Sequence, residues 1–120
     1  MSTTITVRTK FEGLHFWKDA PEKVAFLRNL HRHLFRVEVT VPVTHSDRDI
    51  EFFILKNFID TFIHLKYKAY HPDMMFLKNL GSVSCEMIAN DIKMAAAAEF
   101  NVNECSVVVQ EDEESSGQVK

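Results

Sequence analysis

The sequence predicts an α+β domain, an antiparallel sheet carrying two helices on one face, in the order β-β-α-α-β with room for a short last strand. Three observations predict it. Two early segments alternate apolar and polar residues, two central segments repeat apolar residues at three- and four-residue steps, and a Val-rich run follows near the end.

Strand one is "TITVRTKF", in which Ile5, Val7 and Thr9 alternate with Thr4, Thr6, Arg8 and Lys10. "DAPEK" then marks a helix start with Pro21 suited to a first turn, so a short helix or an ordered loop is expected before strand two. Strand two, "LFRVEVTVPV", sets Phe35, Val37, Val39, Val41 and Val43 on one face and Arg36, Glu38 and Thr40 on the other. "THSDRD" is a polar turn. In "IEFFILKNFIDTFIHLKYKAY" the residues Phe52, Leu55, Phe58, Ile59, Phe62 and Ile63 form an apolar helical stripe, and Pro72 ends it or lies just beyond. "SCEMIANDIKMAAAAEF" is the second helix, with Ser84 as N-cap, Glu86 at the positive end of the dipole and an Ala run that propagates well. "ECSVVVQED" is the third strand. The expected domain is 1–113, followed by a polar acidic tail at 114–120.

The 120 residues suffice for a single core. A hydrophobic content of 46% with 26% charged residues is that of a soluble globular chain and not of a disordered one. The formal charge of −3 argues against nucleic acid, whose binders are basic. Two cysteines make no disulfide framework and fit a reducing compartment. The start lacks the charged and apolar regions of a signal peptide, and no stretch approaches the roughly 20 apolar residues of a membrane helix. A cytoplasmic protein is expected.

His31 and His33 sit one residue apart at the mouth of strand two, so both imidazoles share a face. His15 ends strand one, and a hairpin would return it towards them. Three neutral imidazoles with a vacant fourth position make a catalytic type of zinc site. A polar strand edge is the other reading, and spacing alone leaves both open. His45 and His64 read as solvated residues.

"FEGLH" (11–15), "LHRHLFRVEVTV" (30–41), "DIEFFILK" (49–56), "SCEMIANDI" (84–92) and "VVVQE" (107–111) share their order and approximate spacing with one family. The chain resembles, from about residue 5 to about residue 112, the 6-pyruvoyl-tetrahydropterin synthase / 6-carboxy-tetrahydropterin synthase family of the tunnelling fold. The resemblance implies zinc on His15, His31 and His33, holding the side-chain hydroxyls of a dihydropterin triphosphate and acidifying the adjacent C–H. It implies that Glu111 grips the pterin's 2-amino and ring N–H groups, with Ser84 and Cys85 beside the ligand. It also implies a barrel of subunits, a homotrimer or hexamer, which would cover exposed strand edges.

Three positions depart from the family pattern. Leu27 stands where the family has its catalytic cysteine; some family members use Glu in place of that Cys, and Glu22, the nearest upstream carboxylate, is one residue off their spacing. Tyr70 and His71 stand where the family has an Asp-His pair, so His71 keeps its place without its orienting Asp. Arg32 replaces a Gly and is expected to put a cation near the metal entrance. Two functions follow. One is a zinc-dependent carbon–oxygen lyase acting on dihydroneopterin triphosphate in pterin or 7-deazaguanine (queuosine) synthesis. The other is a non-catalytic protein binding a pterin, purine or related nucleotide. A purely structural assembly domain is a third.

Overall fold

The computed structural model describes residues 2–120. Strands β1 (Thr3–His15) and β2 (His31–Val43) run antiparallel in unbroken register, from Thr3 opposite Val43 to His15 opposite His31. A 3₁₀ helix, Glu22–Arg28, occupies the connection, where "DAPEK" suggested a short helix or loop. Helix α1 (Phe52–Lys66) follows, with Glu51 accepting from the amides of Phe53 and Ile54 at its start. The hairpin β3 (Tyr70–His71) and β4 (Met74–Gly81) comes next, then helix α2 (Cys85–Phe100), β5 (Ser106–Glu111) and β6 (Ser115–Val119).

These strands form one open sheet in the order β3-β4-β1-β2-β5-β6. The alternation read from β2 decides the core. Phe35, Val37, Val39 and Val41 are buried, beside Val107 and Val109 of β5. Leu55, Ile59 and Ile63 of α1 and Ile88, Ala89, Ile92 and Ala96 of α2 cover them on the same side. The opposite face is polar: Arg8 pairs with Glu38 at 3.0 Å, and the hydroxyls of Thr6 and Thr40 meet at 2.8 Å. Ser84 caps α2 by accepting from the Met87 amide at 3.1 Å, as its position suggested.

One expectation needs correction. The sheet is mixed, not purely antiparallel, because β4 lies parallel to β1 over Gly13–His15. After α1 the chain enters the sheet as β3, antiparallel to β4, and the hairpin turn then sets β4 in the direction of β1. The β3–β4 hairpin itself lacks an alternating signature: Met74, Met75 and Phe76 are exposed in succession, and Leu77 and Lys78 are both buried. Lys78 holds the hairpin to α1. Its ammonium donates to the Tyr67 carbonyl at 3.0 Å, where a cation meets the negative end of the helix dipole, and lies 4.8 Å from the Tyr70 ring centroid. Tyr67 in turn donates its hydroxyl to Asp91 at 2.9 Å and so ties α1 to α2; burial and that carboxylate push its own ionisation upward.

The segment 114–120, expected as a polar tail with room for a short last strand, carries that strand as β6 at the edge of the sheet. Its anchor is Gly117, which pairs with Val109 and lies under the start of α2. A Cβ there would stand 2.9 Å from Glu86 Oε1 and 3.1 Å from the Glu86 backbone nitrogen, and backbone cannot yield cheaply. Gly117→Ala is expected to cost about 1–3 kcal/mol by overpacking. Urea unfolding of the two proteins measures it, and an unchanged midpoint would show that the start of α2 accommodates the added methyl.

Candidate metal centre

The β1–β2 register builds the centre. His15 is the direct partner of His31, and His33 lies opposite Gly13, two residues along the same face. One ligand atom from each of the three histidines lies within 4.8 Å of the other two. The rings stand edge to face, with centroids 4.6, 5.1 and 5.0 Å apart. Phe35, fully buried next along β2, supports His15 and His33 from beneath at 5.2 and 5.8 Å.

Each ring is held by its Nδ1. His15 Nδ1 is 2.8 Å from the Val83 carbonyl, His31 Nδ1 is 2.8 Å from the Asn29 carbonyl, and His33 Nδ1 is 2.6 Å from Asp112 Oδ2. A carbonyl or carboxylate at Nδ1 assigns the proton to that nitrogen and leaves the Nε2 lone pair free. Each ring would then offer its Nε2 lone pair to a common ion. That donor set fits zinc.

Asp112 was not legible as a functional residue in the sequence, where it lies within the acidic run "EDEE". It sits in the left-handed region, with φ 51, and its Oδ1 also accepts from the Leu34 amide at 2.7 Å. The His33 ring N–H and that amide hold its carboxyl below the usual carboxylate range. The Val83 and Asn29 carbonyls, being backbone, leave no signature in sequence at all.

Glu111 faces the cluster. Its Oε1 lies 3.3 Å from His15 Nε2 and its Oε2 3.7 Å from His33 Nε2. A cavity of about 420 Å³ opens above, lined by Leu27, Ser84, Cys85 and Glu111 among others, with Trp17 on its rim. Burial first, then the Glu111 carboxylate that its S–H faces, push the Cys85 thiol up to about 12. Cys85 is therefore a hydrogen-bond donor at neutral pH and not a nucleophile or base.

The remaining residues singled out from sequence lie elsewhere. Glu22 pairs with Arg28 at 3.1 Å on the outer side of the 3₁₀ helix and does not line the cavity. His71 lies at the far end of the β3–β4 hairpin, opposite Met74, where its Nδ1 accepts from the Asp73 amide at 3.1 Å. The seven steps from Met74 to Gly81, which pairs with His15, put it about 23 Å along the strand from the cluster. Arg32 does not guard the metal entrance. Alternation along β2 turns it to the other face, where it pairs with Glu12 at 2.8 Å and lies over Phe76.

Three outcomes are expected. His33→Ala should abolish stoichiometric zinc, measured by elemental analysis, whereas His64→Ala, on an exposed turn of α1, should retain it. Asp112→Ala should weaken zinc about 10–100-fold in chelator competition, because the ring it holds would lose its orientation. Burial holds the His15 pKa below its ordinary 6.5, so as pH falls the unfolded chain takes up this proton first. Metal-free protein should therefore lose stability as pH drops below about 6.5 and keep it above, read as Tm across about pH 5 to 8.

No model of a known protein family matches the chain, and no curated protein sequence matches it. Solved structures do. An uncharacterized protein from Wolinella succinogenes superposes with a TM-score of 0.71 at 13% identity, over 99% of this chain and 98% of that one. The 6-pyruvoyl tetrahydropterin synthase of Plasmodium falciparum gives 0.68 at 17% identity, over 98% and 96%. That of Caenorhabditis elegans gives 0.66 at 13% identity, over 100% and 96%. The chain has the α+β tunnelling fold of the 6-pyruvoyl tetrahydropterin synthases.

Proposed function

We propose that this protein binds zinc through His15, His31 and His33 and, above the metal, a dihydropterin of the dihydroneopterin triphosphate type. The observation that carries the reading is the convergence of three Nδ1-anchored imidazoles beside Glu111, with His15, His31 and Glu111 lining one cavity. Zinc bound there would polarise the hydroxyls of a pterin side chain and acidify the adjacent C–H. Glu111 would accept two parallel N–H bonds from the heterocycle's guanidine-like edge, which only a carboxylate can do. Ser84 and Cys85 line the same cavity and would contact the ring.

Turnover is the weaker half of the resemblance. Leu27 lines the cavity where the family carries its thiol, and an aliphatic side chain takes no proton. Glu22 is committed to Arg28 and points away. We therefore propose a binding protein with slow or no lyase turnover, with pterin or 7-deazaguanine metabolism as its setting and the cytoplasm as its place. The exposed Met75 and Phe76 at the open edge of the sheet support a homotrimer or hexamer.

Calorimetry with zinc-loaded protein and 7,8-dihydroneopterin triphosphate tests the first half, and triphosphate release the second. Wild type should bind without rapid release, and Glu111→Gln should cost on the order of 1–3 kcal/mol in affinity at saturating metal. Leu27→Cys should bind like wild type and release faster. Rapid release by wild type would make the protein an active lyase, and no binding would leave only the fold. A monomer by light scattering at micromolar concentration would rule out the assembly.

A further inference from the structure

The placement of Glu111 says more than that it faces the pocket. Each imidazole turns its Nδ1 to Val83, Asn29 or Asp112, so Nε2 is the nitrogen left for another partner. Yet Glu111 brings both oxygens to two of those nitrogens, at 3.3 and 3.7 Å. A bare carboxylate and a bare imidazole nitrogen repel at this range. The arrangement becomes attractive when a cation lies between them.

Its dimensions suit one. Zinc bonds to nitrogen and oxygen of about 2.0–2.2 Å set two ligands of a tetrahedral ion about 3.4 Å apart. The His15 Nε2 to Glu111 Oε1 separation is 3.3 Å. The second oxygen, near His33, lies on the same side, and the Cys85 S–H meets the same carboxylate from the pocket.

We propose that Glu111 is the fourth ligand of the metal in the protein without its heterocycle, and that a heterocycle presenting paired N–H groups draws it off, opening the coordination position only when the pocket is filled. This rests on the zinc and pterin reading above. Glu111 cannot accept two parallel N–H bonds and keep its metal bond undisturbed, because the same two oxygens serve both. Pocket and metal are thereby coupled through one carboxylate. The vacated position goes to water or to a hydroxyl of the bound molecule.

Cobalt(II) makes the ligand count visible in the intensity of its visible absorption. The full chain is loaded with Co²⁺, and affinity is measured by competition with a chromophoric chelator. Glu111→Gln is expected to change the spectrum and to weaken Co²⁺ about 10–100-fold, at least the loss that removal of an outer-sphere partner brings. Glu111→Asp, which keeps the charge but withdraws it by one methylene, should do the same in smaller degree. His64→Ala should match wild type. Adding 7,8-dihydroneopterin to wild type should move its spectrum towards that of Glu111→Gln. Melting curves of the metal-free proteins establish that the variants fold, and Glu111→Asp carries the test if Glu111→Gln does not.

Unchanged spectrum and affinity in both Glu111 variants would overturn the proposal; loss of pterin binding in Glu111→Gln under those conditions would leave the clamp role standing without it. A Glu111-dependent spectrum that dihydroneopterin does not move, with no binding by calorimetry, would overturn the pterin reading and the displacement together. Binding by calorimetry with an unmoved spectrum would overturn the displacement alone.

Discussion

The thirteen-pair ladder between β1 and β2 is the constraint on which the rest of this protein depends. An antiparallel register sets every side chain on both strands to one face or the other, and a slip of a single residue would invert them all. Here the register puts Val7, Phe35, Val37, Val39 and Val41 under the helices, and the same alternation, carried to the strand ends, puts His15, His31 and His33 together. Core and metal centre are consequences of one set of backbone hydrogen bonds. A mutation that shifted the ladder would destroy both.

The centre lies where this ladder runs out, and its surroundings come from three other places in the chain. The connection before β2 supplies the Asn29 carbonyl, the approach to α2 supplies Val83, and the turn after β5 supplies Asp112. Each satisfies an Nδ1 that would otherwise be a buried or half-buried donor without a partner. In doing so each decides which nitrogen faces inward. The candidate donor set is thus organised by groups that would not touch an ion, the usual division of labour around a ligating histidine.

Glu111 joins the two halves of the site. It lies opposite Phe35 in the β2–β5 register, so the ladder that fills the core also aims this carboxylate at the histidines. Its neighbours are a thiol held in its protonated form and two imidazole nitrogens, with Leu27 across the cavity where proton transfer would need a base. That balance, rich in groups that hold and poor in groups that exchange protons, is what the proposed binding function rests on.

The sequence by itself determined the period-two strands, the two helices with the Ser84 cap, and the common face of His31 and His33, because these depend on periodicity and local chemistry alone. It also pointed to His15 and Glu111, through a resemblance that the shared fold supports. Several features were decided only by the tertiary structure. The β3–β4 hairpin has exposed Met and Phe in succession and a buried Lys78, so no alternation announces it, and the parallel pairing of β4 with β1 follows from the hairpin turn after β3. Arg32 turned away from the metal because a strand, not a loop, carries it. Residues 114–120 read as an acidic tail with room for a short strand and no more, because what secures the strand is Gly117 fitting beneath α2, a contact across some thirty residues of sequence. Asp112 and two backbone carbonyls entered the site for the same reason: hydrogen-bond partners distant in sequence leave no pattern in it until the chain has folded.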